Sequence, residues 1–334
     1  MKASRKNPIY TAYIVSGTTK YNISSVVTSY DFSDEKKQMA QRVTIELVNI
    51  KVGGTRLSKL LKVRDRVYVY ADDGERSEEV FRGYIWTRSS KDQLSGKELT
   101  LKCYDNLIYF QESEESEYFS SGKTTEAISA ALCAKWGVKL EYTYSSITHS
   151  KMALRGTLSD LFTADILDPV KKQTGKKYVI RSEKDVMKIL PVGANTTIYT
   201  IRVKDNAAGL SEESTMDGMT TKIIILGKAD GEDRRPVEAT VSGDTAQYGT
   251  LQKIVTLDSN TTVEKAKKEA ETTIAEEGKP KSEYAANSPD IPWIRKGDKV
   301  KVEGPDWNKH FIVVDIDREI KKDAKTMTLT LEDV

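Results

Sequence analysis

The sequence predicts a mainly β chain with an α+β insert: two small β units, each a barrel or a sandwich, separated by a helical segment and a small α+β domain. Three observations carry this reading. The ends of the chain read alike. Arg64-Asp65-Arg66-Val67-Tyr68-Val69 returns as Gly297-Asp298-Lys299-Val300-Lys301-Val302, residues 81–85 return at 311–316, and Leu99-Thr100-Leu101 returns as Leu329-Thr330-Leu331. Phe81 and Phe311 stand 230 positions apart, as do Leu99 and Leu329, so one strand–loop–strand–turn–strand unit is used twice. Finally, both ends alternate apolar and polar residues at the period of a half-buried strand, while the middle spaces its apolar residues as a helix does.

Residues 1–105 form the first β unit. Val43, Ile45 and Leu47 alternate with Thr44 and Glu46, and Leu99, Leu101 and Cys103 with Thr100, Lys102 and Tyr104. Val67 and Val69 alternate with Tyr68 and Tyr70, and Asp73-Gly74 predicts a tight hairpin. Residues 106–155 form a helical insert. An acidic stretch at 112–117 precedes a helix from about Thr124 to Trp136, with Ile128, Ala131 and Leu132 on one face and Gly137 as its stop. A strand through Leu140, Tyr142 and Tyr144 follows. Residues 156–204 form the small α+β domain. Thr157 and Asp160 predict an N-cap, and Leu161, Phe162, Ile166 and Val170 a buried stripe that Pro169 kinks or divides. Gly175 ends the helix, and a hairpin of 178–180 with 187–190 follows. Residues 205–334 form the second β-barrel. It includes a buried strand at 223–226, a long hairpin or loop from Gly227 to Gly249, and a helix at about 261–277. Thr261 and Glu264 predict a capping box there, and Val263, Ala266, Ala270 and Ile274 a narrow apolar stripe that ends at Gly278 and Pro280.

Composition excludes several function classes. Lys plus Arg is 52 and Asp plus Glu is 50, a net charge of +2, which gives no general attraction to nucleic acid or anionic membrane. No stretch approaches the roughly 20 apolar residues of a membrane span. The basic N-terminus lacks the apolar segment of a signal peptide, and the two cysteines, Cys103 and Cys133, predict no disulfide framework, which fits a reducing cytoplasm.

The residues that invite chemistry lack its requirements. Gly122-Lys123-Thr124 would need a glycine where Glu117 stands to wrap a phosphate, so a capped helix start is predicted instead. Asp315, Asp317 and Glu319 have Ile320 where a calcium loop needs glycine, and they alternate as solvated strand residues. His149 and His310 lack the spacing of zinc ligands, and no Gly-x-Ser-x-Gly elbow is present. Lys265, Lys267 and Lys268 interleave with Glu264, Glu269 and Glu271 as a solvated helix face, and Arg234-Arg235-Pro236 is a surface loop feature. Of the four tryptophans, Trp136 is expected to seal a helix end. Trp307 sits at the tip of 304–308, as a turn or subunit contact or as a sugar platform, and Trp86 and Trp293 stand alone. No catalytic, cofactor-binding or metal site is predicted.

Taken in order, several segments resemble a known family. They are Phe81-Arg82-Gly83-Tyr84-Ile85, residues 99–109, Thr174-Gly175-Lys176-Lys177-Tyr178-Val179-Ile180-Arg181, Tyr248-Gly249-Thr250-Leu251-Gln252, residues 295–300 and residues 327–332. Together they resemble the contractile-tail baseplate hub proteins of XkdQ/YqbQ type from PBSX-like prophages, relatives of late control protein D and the T-even hub. The one departure is Arg64 where the second copy has Gly297, which bears on the first turn's geometry. The resemblance implies two tube-like β-barrels per chain and a homotrimeric, pseudo-six-fold ring that adapts a hexameric tail tube to a trimeric spike. It implies a structural protein with no enzymatic activity and no cofactor. Its partners would be the tube, spike and other baseplate proteins. DNA would pass through the channel in a true phage without sequence recognition, and no stable membrane insertion is expected. Its location would be a virion or phage-tail-like bacteriocin (tailocin) particle assembled in the host cytoplasm. The alternative reading is a tail-associated protein that binds or degrades cell wall, through Trp307, the loop near Asp230, or the acidic stretch around Glu112.

Overall fold

Ten strands carry the duplication in the computed structural model, which describes residues 7–93, 96–202, 209–228, 235–257, 261–304 and 307–334. The first copy holds β1 (Val27–Asp34), β2 (Arg42–Val48), β3 (Arg66–Asp72), β4 (Ser77–Gln93) and β5 (Gly96–Tyr104). The second holds β6 (Gly209–Thr215), β7 (Lys281–Pro289), β8 (Lys299–Glu303), β9 (Asn308–Lys321) and β10 (Lys325–Asp333). In each copy the last three strands make an antiparallel meander, and the strand before them pairs with the last: β2 with β5, and β7 with β10. The lateral order is β1-β2-β5-β4 in one copy and β6-β7-β10-β9 in the other. Strand β9 also pairs with β1, so these eight strands run consecutively through one 13-stranded sheet. No ladder among the described residues joins the two ends of the run. The copies differ at their flanks. Ile9–Ser16 pairs with β3 antiparallel, whereas Tyr199–Arg202 pairs with β8 parallel.

Backbone hydrogen bonds fix which residues correspond. The Arg64 N–H donates to the Ile85 carbonyl and the Ile85 N–H to that of Asp65. In the second copy the Gly297 N–H donates to Val313 and the Val313 N–H to Asp298. Both long strands then bulge at the same place, with Trp86 extra between Ile85 and Thr87 and Val314 extra between Val313 and Asp315. Arg64 therefore corresponds to Gly297, as the sequence predicts. Ile85 corresponds to Val313, an offset of 228, so the landmark pairs Phe81/Phe311 and Leu99/Leu329 are out of step by two residues. A slip of two keeps every side chain on its own face of a strand, so the apolar pattern cannot reveal it. Arg64 adopts φ 70° and Gly297 φ 85°, which keeps the turn the same in both copies. Arginine holds that left-handed conformation at a cost of about 1–2 kcal/mol.

One face of the eight-strand run is the core. Tyr30, Phe32, Val43, Ile45, Leu101, Cys103, Ile316, Met327 and Leu329 are all buried in a single cluster drawn from both copies. Arg318 falls in the same inward row, between Ile316 and Ile320, with its side chain 3% exposed. Its Nε donates to Asp290 Oδ1 at 2.9 Å and its Nη2 to the Ile294 carbonyl at 2.6 Å, while the Tyr10 hydroxyl donates to the other Asp290 oxygen. Burial outweighs the guanidinium and holds the Asp290 carboxyl above its ordinary pKa. This network ties the first copy to the second. A second buried link does the same: Lys296 Nζ lies 2.7 Å from Asp34 Oδ1 and donates to the carbonyls of Glu35 and Gln38.

A separate cluster takes residues from both 106–155 and 156–204, including Phe110, Ile128, Leu132, Leu154, Phe162, Val170 and Ile189. The helix Thr125–Lys135 is capped by Thr124, whose Oγ1 accepts from the Ala127 N–H. Thr157 caps its helix as predicted, and Pro169 falls where a π-helical turn, Leu161–Leu167, gives way to Asp168–Thr174. Gly175 ends that segment at φ 70°. The Tyr178–Glu183/Val186–Pro191 hairpin forms, and Lys139–Tyr142 adds a parallel strand to it.

Residues 212–283 make a compact unit of their own. Lys222–Leu226 pairs antiparallel with Val237–Ser242 and parallel with Gln252–Thr256, and the helix Val263–Glu277 sets Ala266 and Ala270 against Ile223, Ile225 and Val241. The N-cap is Thr262, accepting from the Lys265 N–H, and not Thr261 with Glu264. Thr262 has the extended backbone (φ −81°, ψ 156°) that aims its hydroxyl at the third amide of the helix. Part of the predicted 227–249 loop, including Asp230 and Arg234, lies outside the described residues.

Two stability predictions arise from the buried charges. Asp290→Ala leaves the Arg318 guanidinium buried and unpaired, and urea unfolding is expected to show a loss of roughly 3–5 kcal/mol. Asp105 is fully buried and accepts from the Gln41 and Leu107 amides. Burial first, then the nearby Asp34 carboxylate, pushes its carboxyl up to about 7, partly opposed by those amides and by Lys296. Its folded pKa exceeds its unfolded value of about 3.9, so its contribution to stability is complete below that value and is lost as pH rises through about 7. Asp105→Asn is therefore expected to flatten the fall in melting temperature between pH 5 and pH 8, followed by circular dichroism; an unchanged slope would refute the assignment.

Candidate functional site

The feature that stands out is a surface, formed by the other face of the eight-strand run. Cross-strand registers align its outward residues into rows. One row reads Thr87, Lys102, Thr44, Asp31, Glu319, Thr326; the next reads Ser89, Thr100, Glu46, Ser29, Lys321. A third reads Tyr84, Tyr104, Arg42, Ser33, Asp317, Thr328, Asn287. Hydroxyls and charges of both signs alternate along these rows, and their large aromatic side chains, Tyr84 and Tyr104, lie at the β4 end, where Trp86 meets Tyr104 edge-on. Away from that end the surface is polar and hydrated.

The charges on this face are organised across the two copies. Ser29 Oγ donates to Glu46 Oε2 at 3.1 Å, Thr328 Oγ1 to Asn287 Oδ1 at 2.7 Å, and Lys321 pairs with Glu319. Asp31 of the first copy stands opposite Glu319 of the second. Burial first, then Glu46 and Glu319, raises its carboxyl above the ordinary range. A shallow groove of about 280 Å³ follows this seam, lined by Asp31, Ser33, Thr44, Asp317, Thr326 and Thr328.

A larger cleft of about 510 Å³ is lined by charged residues that mostly pair with one another. Arg76 meets Glu78 at 2.7 Å, Arg82 meets Glu79 at 2.8 Å, Arg181 meets Asp298 at 2.9 Å, and Lys188 meets Glu183 at 3.0 Å. Of these, Arg181–Asp298 ties the 178–191 hairpin to the second copy. Asp185 at its turn receives Arg66 and Arg82 of the first copy.

The residues that invited chemistry are dispersed through the fold. Gly122 takes φ 92° ahead of the Thr124 cap, and Glu117 sits in the strand Glu114–Phe119, paired to Lys135 at 2.8 Å. Glu115 in the same acidic stretch meets Lys135 at 3.0 Å and accepts from Trp136 Nε1 at 3.0 Å. His149 is buried, 2.9 Å from Thr125 Oγ1, while His310 is exposed in β9. Both cysteines are buried and unbridged, and burial pushes the Cys133 thiol up to about 12. Asp315, Asp317 and Glu319 lie along β9, and no group of three metal-ligating side chains occurs among the described residues. Trp307 stands edge-on to Tyr284 at 5.1 Å; its neighbours Pro305 and Asp306 lie outside the described residues. Trp293 donates to Asp73 at 2.9 Å, and Trp86 is 39% exposed beside Tyr104 and Tyr109. The polar rows themselves went unread as a site. Their signal is the run of Thr and Ser at the outward positions of several strands, visible only once those strands are placed side by side.

The fold recurs in phage tail proteins. The 43 kDa tail protein of prophage MuSo2 from Shewanella oneidensis has a TM-score of 0.72 at 14% identity, over 97% of this chain and 98% of that one. A tail protein from Neisseria meningitidis MC58 has a TM-score of 0.70 at 14% identity, over 97% and 96%. The E. coli c3393 protein, a type VI secretion component with structural similarity to the T4 tail proteins gp27 and gp5, has a TM-score of 0.58 at 10% identity, over 92% and 74%. No curated protein matches the chain. A family model described as YQBQ-like matches residues 30–332, so the resemblance carried by the residues holds, and the chain belongs to the YQBQ-like family.

Proposed function

We propose that this chain is a structural hub of a contractile phage tail or phage-tail-like bacteriocin: a homotrimer whose six β units form a pseudo-six-fold ring. The observation that carries this is the head-to-tail repeat of one strand order, β6-β7-β10-β9 followed by β1-β2-β5-β4, within one chain. Three chains on a three-fold axis would then present six near-equal surfaces, which a six-fold tail tube can engage on one side. The segments without a duplicate would supply contacts that occur three times only, suited to a trimeric spike. They are the 106–155 and 156–204 segments and the 212–283 unit.

In this reading the polar face lines the channel. Its hydroxyls and mixed charges keep the passage wetted and non-adhesive, whether DNA passes through or not. The role is mechanical and non-enzymatic, which agrees with the tail proteins that share the fold. The site of action would be the tail particle, assembled in the host cytoplasm beside tube, spike and other baseplate proteins. No described helix is long and apolar enough to cross a membrane.

Light scattering on the purified chain is expected to give three times 37.4 kDa, and particle averages a three-fold ring with six similar lobes. A monomer at every concentration, alone or with its tail partners, would sink the reading.

A further inference from the structure

We propose that the cleft of about 510 Å³ binds an oxyanion, a carboxylate or phosphate group, on the guanidinium of Arg295 with help from Arg181. Every residue that lines the cleft falls within 1–211 or 284–334 of one chain, so the site stands apart from the hub reading and from any question of assembly.

The charges around the cleft leave a cation over. The pairs given above engage Glu78, Glu79, Glu183 and Asp298, and Lys188 also takes Glu141 at 3.1 Å. Asp105 accepts from two backbone amides. Among the described residues, Lys184 and Arg295 are the lining cations outside any ion pair. Lys184 is exposed and hydrated, as surface lysines are, whereas Arg295 is partly buried.

The Arg295 guanidinium donates to the Pro292 carbonyl at 2.8 Å, which leaves most of its N–H groups unengaged. Asp298 directs its oxygens elsewhere. Its Oδ1 accepts from Arg181 Nη1 at 2.9 Å and its Oδ2 from the Arg295 main-chain N–H at 2.9 Å. Like charges crowd the guanidinium. Burial first, then Arg318, lowers its pKa from the ordinary arginine value; Arg181 adds to this, and Glu183 and Asp298 oppose it without cancelling it. Arginine nevertheless stays charged in a protein, so the cleft carries positive charge that the chain itself does not balance.

Arg181 brings a second donor. Its Nε is buried without a hydrogen bond, because Glu183 Oε1, 2.9 Å away, lies off the N–H direction. Asn195 fixes another part of the wall. Its Nδ2 donates to the carbonyls of Thr197 at 2.8 Å and Lys299 at 2.9 Å, and its Oδ1 accepts from the Lys299 N–H at 2.6 Å. A planar guanidinium presents parallel N–H groups that match two oxygens of a carboxylate or phosphate. A neutral ligand would leave the charge unbalanced, and a cation would add to it. The cleft volume also falls within the range of small-ligand sites, about 300–1,000 Å³.

The test is isothermal titration of the full chain with inorganic phosphate, with citrate and with a short glutamate-rich peptide, each against sodium chloride of equal ionic strength. The wild type is expected to bind at least one of them, and Arg295→Met to bind it about tenfold or more weakly. Binding of phosphate or citrate identifies a free anion as the ligand; binding of the peptide alone identifies an acidic segment of another protein. Without anion, Arg295→Met is expected to melt no lower than the wild type, because it removes an unpaired, partly buried charge. Where Arg295→Met does not fold, Arg295→Lys takes its place: it keeps the charge but loses the planar fork, and is expected to weaken binding as well. Equal binding by the wild type and the Arg295 variants, or no binding of any probe, overturns the site. Neither result changes the mass expected from light scattering, so the site and the hub reading fail separately.

Discussion

The six-residue ladder between β9 and β1 is the constraint on which the rest of the molecule depends. It joins strands from opposite ends of the chain and fixes the register from Ile316 opposite Asp34 to Lys321 opposite Ser29. Without it each copy would be a four- or five-strand sheet with its own small core. With it, the two inward faces merge into one cluster and the two outward faces into one polar surface. The Tyr10–Asp290–Arg318 network supports the seam from the core side, where its charges are tolerable because the guanidinium also meets backbone carbonyls.

Around this shared frame the copies have diverged where divergence is cheap. Trp86 occupies the bulge in one and Val314 in the other, and Tyr104 stands where the second copy has Glu332. Trp86 is partly exposed, whereas Val314 is buried at 8%, and Ile312 beside it lies where a Cβ on Gly193 would come within 3.2 Å of its side chain. The connection from β2 to β3 carries a short extra hairpin, Lys51–Val52 with Thr55–Arg56, that the β7–β8 connection lacks. Strand order, bulge and turn are held in common because each sets the ladder. The side chains on top of them do not.

Much of this was legible in the sequence. Alternation marked the inward faces, the Thr157 cap and Gly175 stop marked a helix, and the Arg64/Gly297 turn marked the repeat. The parts that escaped share a physical cause. The two-residue slip was invisible because strands repeat every two residues. Thr261 and Thr262 are both competent caps, and only backbone geometry selects one. Arg318 reads locally as one more charge among Asp315, Asp317 and Glu319. Its inward turn depends on Asp290 and Tyr10, which no local pattern brings near. The polar surface escaped for the same reason, since each row is assembled from strands scattered over the whole chain.

The link from β1 to β2 is the short stretch 35–41, yet its counterpart from β6 to β7 contains residues 216–280, most of a folded unit. Chain-closure entropy grows only with the logarithm of loop length, so the flanking strands scarcely register the difference. That position therefore behaves as a socket. Over evolutionary time, or in an engineer's hands, one module can be exchanged there for another while the flanking strands keep their register.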